Sequence, residues 1–252
     1  MRVALTFDIE RDCPPIFETT VGLERGLPKV LEILDKHNIT ATFFTTGNVA
    51  RLFPGVIKKI AEKHEIASHG YHHKRFDYIT AREEAEIRQS KQLLESITKK
   101  KVLGFRAPRF LVCKELYQVL PKLGFKYDSS ITYFKASHFV IDTKLTEYRV
   151  QLPSGLLRFP GGFRLFEIAC KASSFPVLCF HCWEAIDMRL LPRFTNTNPT
   201  FRNWYMRPDR WYNTGQPFLE RLKSLITSLL AKDFHFVTLK DTIDRSIKIS
   251  KS

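Results

Sequence analysis

In the stretch "ASHGYHH", Ala67 to His73, three of the chain's eight histidines stand within five positions, and His69 and His73 are four apart with Gly70 between them. A separation of four puts two side chains on one side of either a helix or an extended segment, and Gly70 adds a tight turn as a third way to converge the rings. Two imidazoles need one carboxylate to make an open site for a divalent metal, with positions left for water and substrate. Clustered histidines at a strand end can also be plain surface polar residues. His72, directed away from its neighbour, reads as structural or as part of a rim. The carboxylate candidates stand in "TFDIERD". If a strand persists through Glu10, then Asp8 and Glu10 project to one side while Ile9 faces the core. Two acids on one face repel unless a cation or a shared proton lies between them; the alternative is that they cap the following turn.

Four further segments carry chemistry. "GFRAPRF" supplies Arg106, whose guanidinium beside a carboxylate would lower that acid's pKa and hold it through two parallel bonds; Arg109 reads as surface charge. "KYDSS" supplies Asp128, suited to orienting a histidine or capping a turn. "VLCFHCWEAID" places His181 at the end of a very apolar strand, either as a core histidine or as an acid–base group. Trp183 beside it offers a flat face of the kind sugar rings stack on, or fills a barrel mouth. The segment "RLLPRFTNTNPTFRNWYMRPDRWYNTG" is dense in aromatics and arginines. Trp204, Tyr205, Trp211 and Tyr212 would be stacking surfaces of a substrate lid, with Arg202, Arg207 or Arg210 for phosphate; otherwise the aromatics plug the rim.

The elements that must position these residues alternate. "VALTFD", "ITATFFTT", "EIASHG", "KVLGFRAP", "FKYDSS", "FPVLCFHCWE" and "HFVTLKD" read as strands. Leu27, Val30, Leu31 and Leu34 mark one helix face after Pro28. "PGVIKKIAEKH" is a helix opened by Pro54, Thr80 and Glu83 form a capping box for a helix to about Ile97, and "KELYQVLPKLG" and the run Phe218 to Leu229 are helices. "YRVQLPSGLLRFPGGF" reads as two strands joined by a turn. Strand–helix alternation implies a parallel sheet with helices outside, as a barrel or doubly wound, and no G-x-G-x-x-G follows the first strand. Asp8, His69, Arg106, Asp128 and His181 each fall at or just after a strand's C-terminal end, the shared active face of a parallel barrel. A barrel is therefore preferred.

With 252 residues, no repeats and no Gly/Ser linkers, one domain spanning 1–252 is expected. No apolar run approaches the roughly 18 residues of a membrane helix. "MRVALTFD" is too short in its apolar part and too soon acidic for a secretory signal, so a cytoplasmic chain beginning at Met1 is expected. Five cysteines argue against a disulfide framework, and "CFHC" has no second cysteine pair with which to make a zinc ribbon. The formal charge of +14 is compatible with nucleic acid, an anionic membrane or a phosphate-bearing substrate, but the basic residues are scattered as on solvated helix faces.

Taken in order, these motifs resemble those of the polysaccharide deacetylases of the NodB-homology type, carbohydrate esterase family 4. "TFDIE" is similar to that family's T-F-D-D-G, "SHGYHH" to its H-x-x-x-H metal motif, "RAPRF" to R-x-P-x-G, and "YDSS" and "FHCWE" stand where its last two motifs fall. The resemblance runs from Thr6 to "FHFVTLKD" and implies an α/β fold, an irregular (β/α) barrel of about seven strands. It implies metal ligation by His69 and His73, Asp8 as general base held by Arg106, and His181 as general acid, with Asp128 holding His181. A cation would polarise the amide carbonyl, and the amine would leave only once protonated. The metal implied is divalent, zinc foremost, with cobalt, manganese and nickel as alternatives. Two departures stand out. Ile9 replaces the family's second, metal-binding acid, so Glu10 is expected to take that role, failing which Asp8 binds the metal or the metal is absent. Arg109 and Phe110 replace an aromatic residue and a glycine. The expected activity is hydrolysis of a non-peptide C–N bond, removing N-acetyl groups from an amino sugar or conjugate, including a phosphate-linked one, with no nucleic-acid partner. The alternatives are a metal-free C–N hydrolase of the same superfamily acting on a cyclic amide or ureide, whose activity would survive chelation, and a non-catalytic basic protein binding glycan or RNA, indifferent to His181→Ala.

Overall fold

The computed structural model describes residues 1–133, 145–191, 204 and 206–243. Seven parallel strands curl into a half-barrel. They are β1 (Arg2–Ile9), β2 (Thr42–Thr45), β3 (Glu65–Ser68), β4 (Gly104–Phe105), β5 (Tyr127–Asp128), β6 (Thr146–Glu147) and β7 (Val177–His181), in the order β6-β5-β4-β3-β2-β1-β7. A short β8 (His235–Phe236) pairs with the start of β1. Val150, just beyond β6, bridges to Val177 of β7 and so brings the far edge of the sheet round towards the near one.

The strand centres show why the sheet has two faces. Along β1, Val3, Leu5, Phe7 and Ile9 enter the large core, which also receives the apolar faces of α1 (Leu27–Lys36) and α8 (Gln216–Leu230). The alternate residues Ala4, Thr6 and Asp8 are buried on the opposite, interior side, where Ala4 meets Phe44, Ala67, Tyr127 and Cys179. The remaining helices are α2 (Gly47–Leu52), α3 (Pro54–Lys63), α4 (Ala81–Thr98), α5 (Lys114–Lys122), α6 (Gly162–Ala172) and α7 (Pro208–Trp211). α4 opens with the expected capping box: the Arg82 amide donates to Thr80 Oγ1 at 3.2 Å and the Thr80 amide to Glu83 Oε2 at 3.0 Å. Such a cap contributes about 1 kcal/mol. Among the described residues no helix is long and apolar enough to cross a membrane.

One expected element is corrected. Residues 148–163 do not form two strands; beyond the Val150 bridge they run into a 3₁₀ turn (Ser154–Arg158) and then α6. Phe166 and Cys170 are buried at helical spacing, with Phe163 packed against the same core. A side chain at Gly162 would overlap the Leu156 carbonyl oxygen, 1.7 Å from its Cβ position, so only glycine lets the helix start hard against the turn.

Candidate active site

Three potential ligands converge at the C-terminal mouth of the barrel. Glu10, one residue past β1, His69, one past β3, and His73 offer ligand atoms that all lie within 4.8 Å of one another. Glu10 Oε2 is 2.6 Å from His73 Nε2 and 3.4 Å from His69 Nε2. The two rings meet through a turn, with Gly70 at φ +71° and His73 at φ +54°, rather than through a helix or strand. His69 Nδ1 lies 2.8 Å from the Arg106 carbonyl oxygen. A carbonyl only accepts, so Nδ1 carries a proton and Nε2 is the atom facing Glu10. Burial opposes the charge on Glu10, yet the field of His73, hydrogen bonds from His69 and His73 and the field of His181 outweigh it and hold the carboxyl well below its usual pKa. Two neutral-capable imidazoles, one with a defined tautomer, plus an ionised buried carboxylate fit a divalent cation.

Asp8 lies beside this group and is held separately. Arg106 Nη1 donates to Asp8 Oδ1 at 2.6 Å and to Thr6 Oγ1 at 3.0 Å, while Nε donates to the Ser129 carbonyl at 3.0 Å. The guanidinium lies over the Phe44 ring, 3.9 Å from its centroid. Its burial is unfavourable, but Asp8 raises its pKa and keeps it charged. The expected pair of parallel bonds is corrected to a single nitrogen on a single oxygen, because Nη2 is committed to Ser129 Oγ at 3.0 Å. Asp8 Oδ2 is thereby left facing His69 Nε2 at 3.8 Å and His181 Nε2 at 3.9 Å, with the Cys179 thiol donating to it at 3.7 Å.

His181, the last residue of β7, is registered opposite Asp8. Its Nδ1 is 3.3 Å from Glu184 Oε2 and 3.3 Å from Ser154 Oγ. The same Glu184 oxygen accepts the His181 backbone N–H at 2.9 Å. Glu184 Oε1 accepts Arg158 Nε at 2.8 Å, both side chains being fully buried. Arg158 donates also to the carbonyls of Asp209 and Tyr212. Burial works against a charged His181, but the Glu184 hydrogen bond and the nearby carboxylates prevail and raise its pKa. Glu184 is lowered: burial raises it, and Arg158 and His181 more than offset that. The turn carrying these residues is seated by close backbone contact. A Cβ on Gly22 would stand 2.5 Å from Trp183 Cα and one on Gly26 2.3 Å from the Cys182 oxygen. Asp12, the last acid of "TFDIERD", caps the helical turn at Gly22–Gly26 by accepting from the Val21 and Gly22 amides at 2.7 and 2.8 Å.

The aromatic candidates separate. Trp183 stacks on His181 with centroids 4.9 Å apart, and its Nε1 donates to Glu10 Oε1 at 3.4 Å. It lines the cavity over the cluster, but its indole steadies Glu10 and His181 rather than offering a free face. Trp204, expected to stack on substrate, is 1% exposed and packs edge-on against Phe17 in an apolar cluster with Cys13 and Met188. It is a plug, and that expectation is corrected. Trp211 donates from Nε1 to the Trp204 carbonyl at 3.1 Å and supports the plug. Tyr212 stacks on Phe159. Tyr205 and Arg202 lie outside the described residues.

The polysaccharide deacetylase family pattern matches residues 1–127, just over half of the chain. The chain belongs to the polysaccharide deacetylase family. A peptidoglycan deacetylase of Helicobacter pylori is 33% identical over 110 residues, 43% of this chain and 38% of that protein. A peptidoglycan deacetylase-like protein of Gibberella zeae is 32% identical over 181 residues, 69% of this chain and 52% of that one. The matched stretch thus spans about two fifths to one half of these relatives. A Mycobacterium smegmatis protein solved as a polysaccharide deacetylase superposes with TM-score 0.69 over 98% of this chain and 91% of its own, at 22% identity, a likeness in fold.

In this family member the acid on β5 stands apart from the cluster. Asp128 was expected to hold His181; its hydrogen bonds instead run to Ser130, whose hydroxyl donates to Oδ1 at 2.8 Å, and to Tyr117, 3.1 Å from Oδ2. Asp128 also shares a hydrogen bond with Glu147, its register partner on β6. The correction has a plain cause: strand alternation puts Tyr127 on the interior side with Ala4 and Phe44 and turns Asp128 to the opposite side, against Tyr117 of α5. Burial and the charge of Asp128 push Glu147 well above the ordinary carboxylate range, and burial raises Asp128. A group whose folded pKa is raised contributes stability that is full below the unfolded pKa, about 4, and is lost as pH rises through the folded value. Glu147→Gln, which imitates the protonated form, is therefore expected to gain on the wild type with increasing pH, by up to about 1.4 kcal/mol per pH unit above pH ~4 until the folded pKa is passed. Urea unfolding from pH 4 to 8 measures this; a constant offset between the two proteins would show that no proton is held there.

Proposed function

We propose that this chain is a divalent-metal-dependent N-deacetylase acting on an N-acetylated amino sugar of a glycan such as peptidoglycan. The supporting observation is the convergence of Asp8, Glu10, His69, His73 and His181 on one mouth, with Asp8 Oδ2 3.9 Å from His181 Nε2 and the Glu10, His69 and His73 ligand atoms within 4.8 Å of one another. Glu10, His69 and His73 hold the cation, which when bound acidifies water and polarises the acetyl carbonyl.

Asp8 Oδ2 takes the proton of the attacking water, because Oδ1 is occupied by Arg106. His181 delivers the Nε2 proton to the departing amine nitrogen, without which the C–N bond does not break; the Glu184 carboxylate at Nδ1 favours its charged form. Glu184 retains the proton on Nδ1, so that only Nε2 points to substrate. The Helicobacter pylori peptidoglycan deacetylase and the Gibberella zeae peptidoglycan deacetylase-like protein support the choice of amino sugar.

The test is metal content by mass spectrometry together with acetate release from peptidoglycan fragments and chitooligomers, for wild type and His69→Ala. The wild type is expected to hold metal and release acetate, and His69→Ala to lose both. Acetate release that persists at full rate after exhaustive chelation would instead support the metal-free hydrolase.

A further inference from the structure

Resting on that reading, we propose that the cavity contains a subsite for an anionic group, carboxylate or phosphate, carried by the amino-sugar substrate, with Arg109 and Arg210 as its ligands. The cavity over the catalytic cluster has a volume of about 500 Å³, room for a substituted sugar unit. Its floor is the acidic pair Asp8 and Glu10, but its walls carry Arg75, Arg109 and Arg210 against the single carboxylate of Asp209.

These charges are unequally satisfied. Asp209 is gripped through both oxygens by Arg207, at 2.8 and 2.7 Å. Arg75 is paired with Asp77 at 3.0 Å. Arg109 is exposed at the cavity wall and has no ion pair or hydrogen bond among the described residues. The Nε of Arg210 is buried without a hydrogen bond among the described residues; it keeps only an ion pair with Asp209 Oδ2 at 3.2 Å, an oxygen it shares with Arg207.

The backbone adds a reason for Arg109 to stand there. Arg109 (φ +62°, ψ +13°) and Phe110 (φ +55°) are consecutive non-glycine residues in the left-handed region, which side chains with a Cβ disfavour. The turn lays Phe110 near Arg106, 5.5 Å from ring centroid to guanidinium carbon, and leaves Arg109 on the cavity wall. A guanidinium fork matches a carboxylate or phosphate through two parallel bonds. An anionic substituent gives these donors a charged, bidentate acceptor that a neutral sugar lacks, so the anionic substrate is favoured.

The experiment compares kcat/KM for acetate release by the metal-loaded full chain on three probes: chitotetraose, an N-acetylmuramic-acid-containing disaccharide whose lactyl group is the carboxylate, and N-acetylglucosamine 1-phosphate. Arg109→Gly, which suits a positive φ, and Arg109→Lys are assayed beside the wild type. One anionic probe is expected to exceed chitotetraose, and Arg109→Gly to shrink that ratio about 10-fold or more through KM, with Arg109→Lys recovering part of it. Which probe leads identifies the anion as carboxylate or phosphate. Chitotetraose as the best substrate, with a ratio indifferent to Arg109→Gly, overturns the subsite. Calorimetric binding of the two anionic probes is read independently of turnover. Binding that is lost in Arg109→Gly supports the subsite even if no probe is hydrolysed, an outcome that would count only against the deacetylase reading. No binding of either anion to the wild type overturns it.

Discussion

Glu10→Ala is expected to strip the metal from the chain and, with it, almost all turnover. Glu10 Oε2 stands 2.6 Å from His73 Nε2 and 3.4 Å from His69 Nε2, whereas Asp8 has one oxygen committed to Arg106. Residues that merely orient a metal ligand are worth about 10- to 100-fold in affinity, so loss of a ligand itself should cost at least about 100-fold. Acetate release at fixed, limiting metal should fall by no less. Stability should change little, since the indole N–H of Trp183 and the two imidazoles regain water in the opened cavity. Metal titration of Glu10→Ala beside Asp8→Asn separates the roles: Asp8→Asn should keep the cation and lose turnover by about 10²- to 10⁴-fold, the usual worth of a general base. Should Glu10→Ala keep its metal while Asp8→Asn loses it, the carboxylate ligand is Asp8 and Glu10 is left with no catalytic part.

The second large effect is expected at Glu184, and it strikes stability and turnover together. Arg158 and Glu184 are both fully buried, with Nε to Oε1 at 2.8 Å. Glu184→Ala strands a buried guanidinium, whose other donors satisfy only carbonyls of the α7 segment. Breaking one side of such a pair costs about 3–5 kcal/mol. The same change removes the carboxylate acceptor for His181 Nδ1 and leaves only the Ser154 hydroxyl, so the ring can turn and carry its proton on the wrong nitrogen, for a loss in kcat of about 10²- to 10⁴-fold. A compensated double variant, Arg158→Met with Glu184→Leu, separates the two consequences. Apolar replacement of a buried ion pair is often neutral for stability, so urea unfolding should recover much of the loss while kcat stays low. A folded Glu184→Ala protein with wild-type kcat would show that His181 needs no such partner.

Much of the site could be read from short patterns. The alternation of "VALTFDIE" alone places Asp8 and Glu10 on the face opposite Ile9, because successive side chains on a strand point to opposite sides; Ile9 is indeed in the large core. The Thr80–Glu83 capping box marks the start of α4 to the residue. The repeated appearance of a polar residue just past an apolar strand is enough to imply one shared mouth, since parallel strands end on one side. Glu184 was within reach too: "HCWE" has the spacing of a capping box, and the His181 amide does donate to Glu184 Oε2 at 2.9 Å.

Pattern along the chain thus determined which face each side chain takes and which end of the barrel it reaches, because both follow from local backbone geometry. Which side chains meet across neighbouring strands was decided only by sheet order and register. They set His181 on β7 opposite Asp8 on β1, and Asp128 on β5 opposite Glu147 on β6. Arg158, 26 positions from Glu184, has no mark in the sequence that sets it apart from other arginines. Trp204 likewise looks like a ligand platform until Phe17 packs against its edge. Hydrogen bonds and packing between distant segments fall off within a few ångströms, and distances of that size exist only in the closed fold.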